Sequence, residues 1–82
     1  MVIDDVKSVI AYTLRLDEKA KRLDAQTALF GSIPEFDSMA VVTVVAALEE
    51  RFGIAIDDDE ISAETFETIG SLTKFIEAKL AA

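Results

Sequence analysis

The sequence predicts an all-α fold of three main helices and one short helix, with a long loop between the first two main helices. Apolar residues recur at helical steps of three and four in three separate stretches. No stretch holds sustained strand alternation closed by a hairpin turn. A cap signature, Asp57 followed three residues later by Glu60, marks a further short helix before the last one.

The first helix is expected over residues 2 to about 16, where Ile3, Val6, Ile10 and Leu14 share one face. The connection that follows, "DEKAKRLDAQTALFGSIPEF", is too long to be left structureless in a compact domain. Leu23, Leu29, Phe30, Ile33 and Phe36 recur along it, so it is expected to pack down onto the helices, with turns near Gly31 and Pro34. The middle helix is expected over residues 38 to about 52, with Val41, Val44, Val45, Leu48 and Phe52 as its core stripe. The last helix is expected to start near Thr68, a good N-cap, and to carry Ile69, Leu72, Ile76 and Leu80. Lys74 and Lys79 lie toward its C-terminus, where the helix dipole favours cations. No repeat, low-complexity tract or linker divides the chain, so residues 1–82 are expected to form one domain.

A domain of this size buries only about 60% of its unfolded surface, which leaves little room for a deep active site. The chain has no Cys, so no disulfide supports it, in keeping with a reducing compartment. "MVIDDVKSVI" has two acids by its fifth residue and no basic leader, unlike a secretory signal. The longest apolar run, residues 39–48, is interrupted by Thr43 and is about half the ~20 residues a bilayer span needs. A soluble, cytoplasmic protein without membrane insertion is expected. A calcium loop would need alternating oxygen ligands and a Gly where Ile61 and Ser62 stand, so no metal site is expected.

The net charge of −8 is unevenly placed. Residues 1–34 hold five acids and five bases, whereas residues 35–82 hold eleven acids against Arg51, Lys74 and Lys79. Such a surface repels phosphate backbones, which argues against nucleic acid as a partner, and attracts basic protein patches.

The middle helix carries more apolar surface than one core face requires. Met39, Val42, Ala46 and Glu49 form a second row on a neighbouring flank, starting beside Ser38 and ending among Glu49 and Glu50. This row either docks a partner or completes the core under the long loop. Ser38 has no histidine anywhere in the chain to activate it, so a catalytic nucleophile is not expected. Asp37 suits the N-cap and leaves Ser38 in the first turn. There the serine is either a plain helix-starting residue or the acceptor of an anionic modification, since free amides and the dipole favour a phosphate ester.

"FDSMAVVTVVAALEERFGIAIDDDEIS", followed by "FETIGSLTKFI", resembles the acyl carrier proteins over nearly the whole chain. The most specific element is Asp-Ser-Met opening a helix, with Leu-Glu-Glu-x-Phe beginning ten residues after the serine. The resemblance implies a right-handed bundle of three main helices and one short one. It implies a 4′-phosphopantetheine arm, attached to Ser38 from coenzyme A by a phosphopantetheinyl transferase, with Asp37 beside it. The arm's thiol would carry acyl groups as thioesters, the protein itself performing no chemistry. Acyl cargo would fold back between helices or extend into a partner enzyme. Acyl-loading and acyl-processing enzymes with basic patches would dock on Asp37, Glu49 and Glu50, with Met39 and Val42 as apolar contacts and Glu60 and Ile61 as further recognition residues. A monomer is expected.

The chain departs from the familiar bacterial fatty-acid carriers in having Met39 after the serine and uncharged residues at Ala40 and Thr43. Fewer charges there predict weaker steering toward housekeeping synthase enzymes and a specialised fatty-acid, polyketide or related pathway. The alternative is an unmodified helical adaptor that binds through the Met39 and Val42 flank.

Overall fold

The computed structural model describes residues 2–16, 22–33 and 36–81. It is all-α, with three long helices: α1 (Val2–Leu14), α3 (Ser38–Phe52) and α4 (Ile69–Ala81). A single-turn α2 (Leu29–Ser32) lies in the long connection, and a 3₁₀ turn (Asp58–Glu60) precedes α4. The expected short helix before the last one is thus a 3₁₀ turn, while α2 is an element too brief for periodicity to reveal. Residues 17–21 and the turn expected at Pro34 lie outside the described residues.

α1 packs against both α3 and α4. Its contribution to the core is Val6, Val9 and Ile10, met by Val44, Val45 and Leu48 from α3 and Ile69, Leu72 and Ile76 from α4. The connections add Leu16, Leu23, Leu29, Ile33, Phe36, Ile56 and Phe66. The long connection therefore packs down as its apolar residues predict, except that Phe30 stays 54% exposed.

α3 is rotated slightly from its predicted setting. Ala40 is buried and aligns with Val44 and Leu48, one turn apart on the same face, whereas Val41 and Phe52 are only half-buried. An alanine in the first turn gave no hydrophobic signal strong enough to mark the true centre of the stripe. α1 ends at Leu14, two residues early, because Arg15 turns left-handed (φ 53°). This lets the Leu16 amide donate to the Ala11 carbonyl at 3.0 Å while the Leu16 side chain enters the core.

The connection is stitched to the entrance of α4. Leu29 N–H donates to Glu67 C=O (3.1 Å), Ile69 N–H to Thr27 C=O (3.1 Å) and Gly70 N–H to Ala25 C=O (2.8 Å), around an isolated bridge between Ala28 and Thr68. Gly70 permits this approach, since a β-carbon there would lie 2.7 Å from the Ala25 carbonyl oxygen. Thr68 caps the helix as expected: its Oγ1 accepts the Ser71 amide, and Ser71 Oγ accepts the Thr68 amide, each at 3.0 Å.

At the far end of α3, Gly53 adopts the left-handed conformation (φ 65°) and donates to the Glu49 carbonyl. Together with the Asp37 cap described next, this fixes both limits of the helix on which the candidate site stands.

Candidate functional site

Asp37 enters α3 with extended backbone, and its Oδ1 accepts the Ala40 amide at 2.9 Å. The first intrahelical bond runs from the Val41 amide to the Asp37 carbonyl (3.0 Å). The amides of Ser38 and Met39 therefore precede the helical ladder, at the positive end of a 15-residue helix. Ser38 itself is exposed on the first helical residue. The Asp37 carboxylate is drawn to Ala40, so the cap and the serine hydroxyl do not compete for one amide. An exposed alcohol beside free amides suits a phosphodiester, which needs solvent access and tolerates no buried negative charge.

Three residues of the second row are open to solvent: Met39 is 76% exposed, Val42 67%, and Ala46 is exposed as well. Thr43 stands beside them, exposed, with its hydroxyl donating to the Met39 carbonyl at 3.2 Å. The acidic margin divides by role. Glu50 is exposed, whereas Glu49 is half-buried and its Oε2 accepts the Ile56 amide at 2.8 Å. Glu60 is half-buried and accepts from Lys79 Nζ at 2.6 Å and from the Asp57 amide at 2.9 Å. Both contacts, Lys79 first, hold its carboxyl below the usual glutamate range.

Ile61 does not stand with the Met39 and Val42 row. It lines a separate cleft of about 230 Å³ together with Phe30, Val41, Ser62, Ala63 and Phe66. Val41, which lines it, lies three residues after Ser38 on α3, about 4.5 Å further along the helix axis. Periodicity places Val41 in the core stripe and the recurrence of apolar residues along the connection packs Phe30 down, while no sequence pattern marks Ala63 or Phe66. Their segment has no helical period, and only the fold brings them opposite α3.

Among the described residues no helix is long and apolar enough to cross a membrane.

A family model described as a phosphopantetheine attachment site matches residues 4–76. An acyl carrier protein of Sulfurovum sp. (strain NBC37-1) is 40% identical over 76 residues, covering 93% of this chain and 95% of that protein. One from Helicobacter acinonychis is 36% identical, covering 93% and 91%. The solution NMR structure of a holo acyl carrier protein from Nitrosomonas europaea superposes with a TM-score of 0.90 at 51% identity, covering 98% of this chain and 96% of that one. With the fold, the capped serine helix and these relatives in agreement, the chain belongs to the acyl carrier protein family.

Proposed function

We propose that Ser38 is the point at which this carrier receives its 4′-phosphopantetheine arm. The observation that carries the reading is the exposed serine on the first residue of α3, its neighbour Asp37 already bonded to Ala40. In the transfer, the serine oxygen displaces adenosine 3′,5′-bisphosphate from coenzyme A, and the hydroxyl proton passes to a base of the transferase. The chain supplies no histidine for that step, so activation belongs to the partner enzyme. Once attached, the arm's thiol holds acyl groups as thioesters. The chain's own work is to present the serine, shelter cargo and offer a docking surface; it catalyses nothing itself.

The docking surface we propose consists of Met39 and Val42 with Glu50 and Asp37 as steering charges, since all four are exposed. Glu49 joins from the margin with its second carboxylate oxygen. Glu60 contributes less net field, being paired with Lys79, and Ile61 contributes through the cleft. Ala40 has no part in this surface because it is buried, so its lack of charge says nothing about partners. Thr43 does bear on them: it leaves an uncharged position within an exposed row. That supports a dedicated pathway over the housekeeping one, in a single-domain, cytoplasmic carrier.

Incubation with coenzyme A and a promiscuous phosphopantetheinyl transferase is expected to raise the intact mass by one phosphopantetheine, and Ser38→Ala to abolish the gain. An unchanged wild-type mass would refute the reading. For the pathway, turnover by fatty-acid synthase partners equal to that of a housekeeping carrier would remove the inference drawn from Thr43.

A further inference from the structure

We infer that the groove between α1 and α3 is a second docking line beside the Met39 row, and that Tyr12 and Arg15 select through it for partner enzymes with an apolar pocket for the tyrosine and an acidic residue opposite the arginine. The inference rests on the carrier reading above and extends its surface onto α1.

The two helices run antiparallel. Asp5, early in α1, pairs with Arg51, late in α3, at 2.7 Å. Arg15, just past the end of α1, shares a hollow with Thr43 in the second turn of α3. Further along the groove a second hollow is lined by Thr13, Ala47 and Glu50, and Tyr12 lines both hollows. Thr43, Ala47 and Glu50 follow Met39 at steps of four, four and three, so the α3 wall of the groove adjoins the row of Met39, Val42 and Ala46. The bond from the Thr43 hydroxyl to the Met39 carbonyl ties the two together. Tyr12, at 88%, is more exposed than Met39 or Val42. An aromatic ring so placed gains most by entering a partner's pocket.

Charge gives this line its selectivity. Arg51 and Asp5 neutralise each other, whereas among the described residues neither Arg15 nor Glu50 stands in an ion pair. Both are exposed. Asp37 and Glu50 draw basic residues to the α3 side, while Arg15 repels them from the α1 side of the serine end. A partner face that is basic throughout is therefore met by one misplaced cation. An acidic residue opposite Arg15 turns that repulsion into attraction.

The test uses holo protein and, as probe, a transacylase of a housekeeping fatty-acid synthase with a basic docking face. Arg15→Glu is expected to lower KM about three- to five-fold with kcat unchanged, and Arg15→Gln about two-fold, the range of exposed charge pairs. Salt at about 0.5 M should erase both gains. Basic residues of the transacylase are then replaced singly by Glu. One such replacement is expected to raise kcat/KM for wild type and lower it for Arg15→Glu, the crossed response of a direct charge contact. Tyr12 is the chain's one tyrosine, so 3-fluorotyrosine gives a single fluorine resonance. That resonance should shift on binding of the responding transacylase variant, and Tyr12→Ser should weaken this binding about five-fold or more. Equal KM for wild type and both Arg15 variants, or a fluorine resonance that no transacylase variant moves, overturns the inference and leaves the arm on Ser38 standing. A missing mass gain at Ser38 removes both readings.

Discussion

Lys79 Nζ lies 2.6 Å from Glu60 Oε1, an ion pair that ties the last turns of α4 to the 3₁₀ turn far earlier in the chain. A second tie runs parallel to it: the Thr65 hydroxyl reaches the Glu60 carbonyl at 3.4 Å, and Ser71 Oγ donates to the Thr65 carbonyl at 2.9 Å. α4 thus holds the wall formed by residues 57–66 at two points. That wall supplies Ile61, Ser62, Ala63 and Phe66 to the cleft.

The pair predicts acid sensitivity. The Glu60 carboxyl is held low chiefly by Lys79 and then by the Asp57 amide. A depressed folded value stabilises the protein above the ordinary glutamate pKa of about 4.3, and the contribution is lost as pH falls through the folded value. Urea midpoints of wild type are expected to fall in this acid window more steeply than those of Glu60→Gln. Identical pH profiles would show that the pair contributes nothing, as many exposed pairs do.

Gly70→Ala should destabilise the protein even though alanine favours helices. The added β-carbon meets the Ala25 carbonyl oxygen at 2.7 Å, where the acceptor is backbone and cannot swing aside. Overpacking of this kind costs about 1–3 kcal/mol, more than the ~1 kcal/mol gained in helix propensity. Urea denaturation measures the balance, and a more stable variant would contradict the close approach.

At Asp37, two substitutions separate capping from charge. Asp37→Ala removes the acceptor of the Ala40 amide and is expected to cost about 0.5–2 kcal/mol. Asp37→Asn keeps an acceptor and should leave stability nearly unchanged. If Asp37 steers the transferase, Asp37→Asn will raise KM for modification of Ser38 with kcat preserved.

Val42→Ala and Leu48→Ala offer the same kind of contrast on one helix. Leu48 is fully buried, so its truncation should cost about 2–5 kcal/mol. Val42 is exposed, and its truncation should change stability by no more than about 0.5 kcal/mol. A partner that docks on this row should nonetheless bind Val42→Ala about five-fold or more weakly. Unchanged affinity for every acyl-processing enzyme tested would take Val42 out of the recognition surface.

Periodicity located α1, α3 and α4 because each is long enough for its apolar face to repeat. Asp37, Thr68 and the Asp57 with Glu60 pairing were legible for a different reason: capping depends on a few side chains close in sequence. The place of Met39 and Val42 off the core stripe left docking and core completion both open, and only the fold shows that the two side chains face solvent. What escaped was set by distant partners. Nothing local to Ala40 reveals that it faces inward, and nothing local to Glu60 reveals Lys79. The cleft draws its walls from α2, α3 and the segment before α4, three pieces that only the folded chain brings face to face.

The seam between residues 25–29 and 67–70 joins partners distant in sequence, so its closure must wait for chain segments that helices alone can nucleate. Amide hydrogens at Leu29, Ile69 and Gly70 should consequently exchange with deuterium only through large-scale opening, not by local fraying. Residues 25–29 and the entrance of α4 are then expected to come undone together, as one cooperative unit.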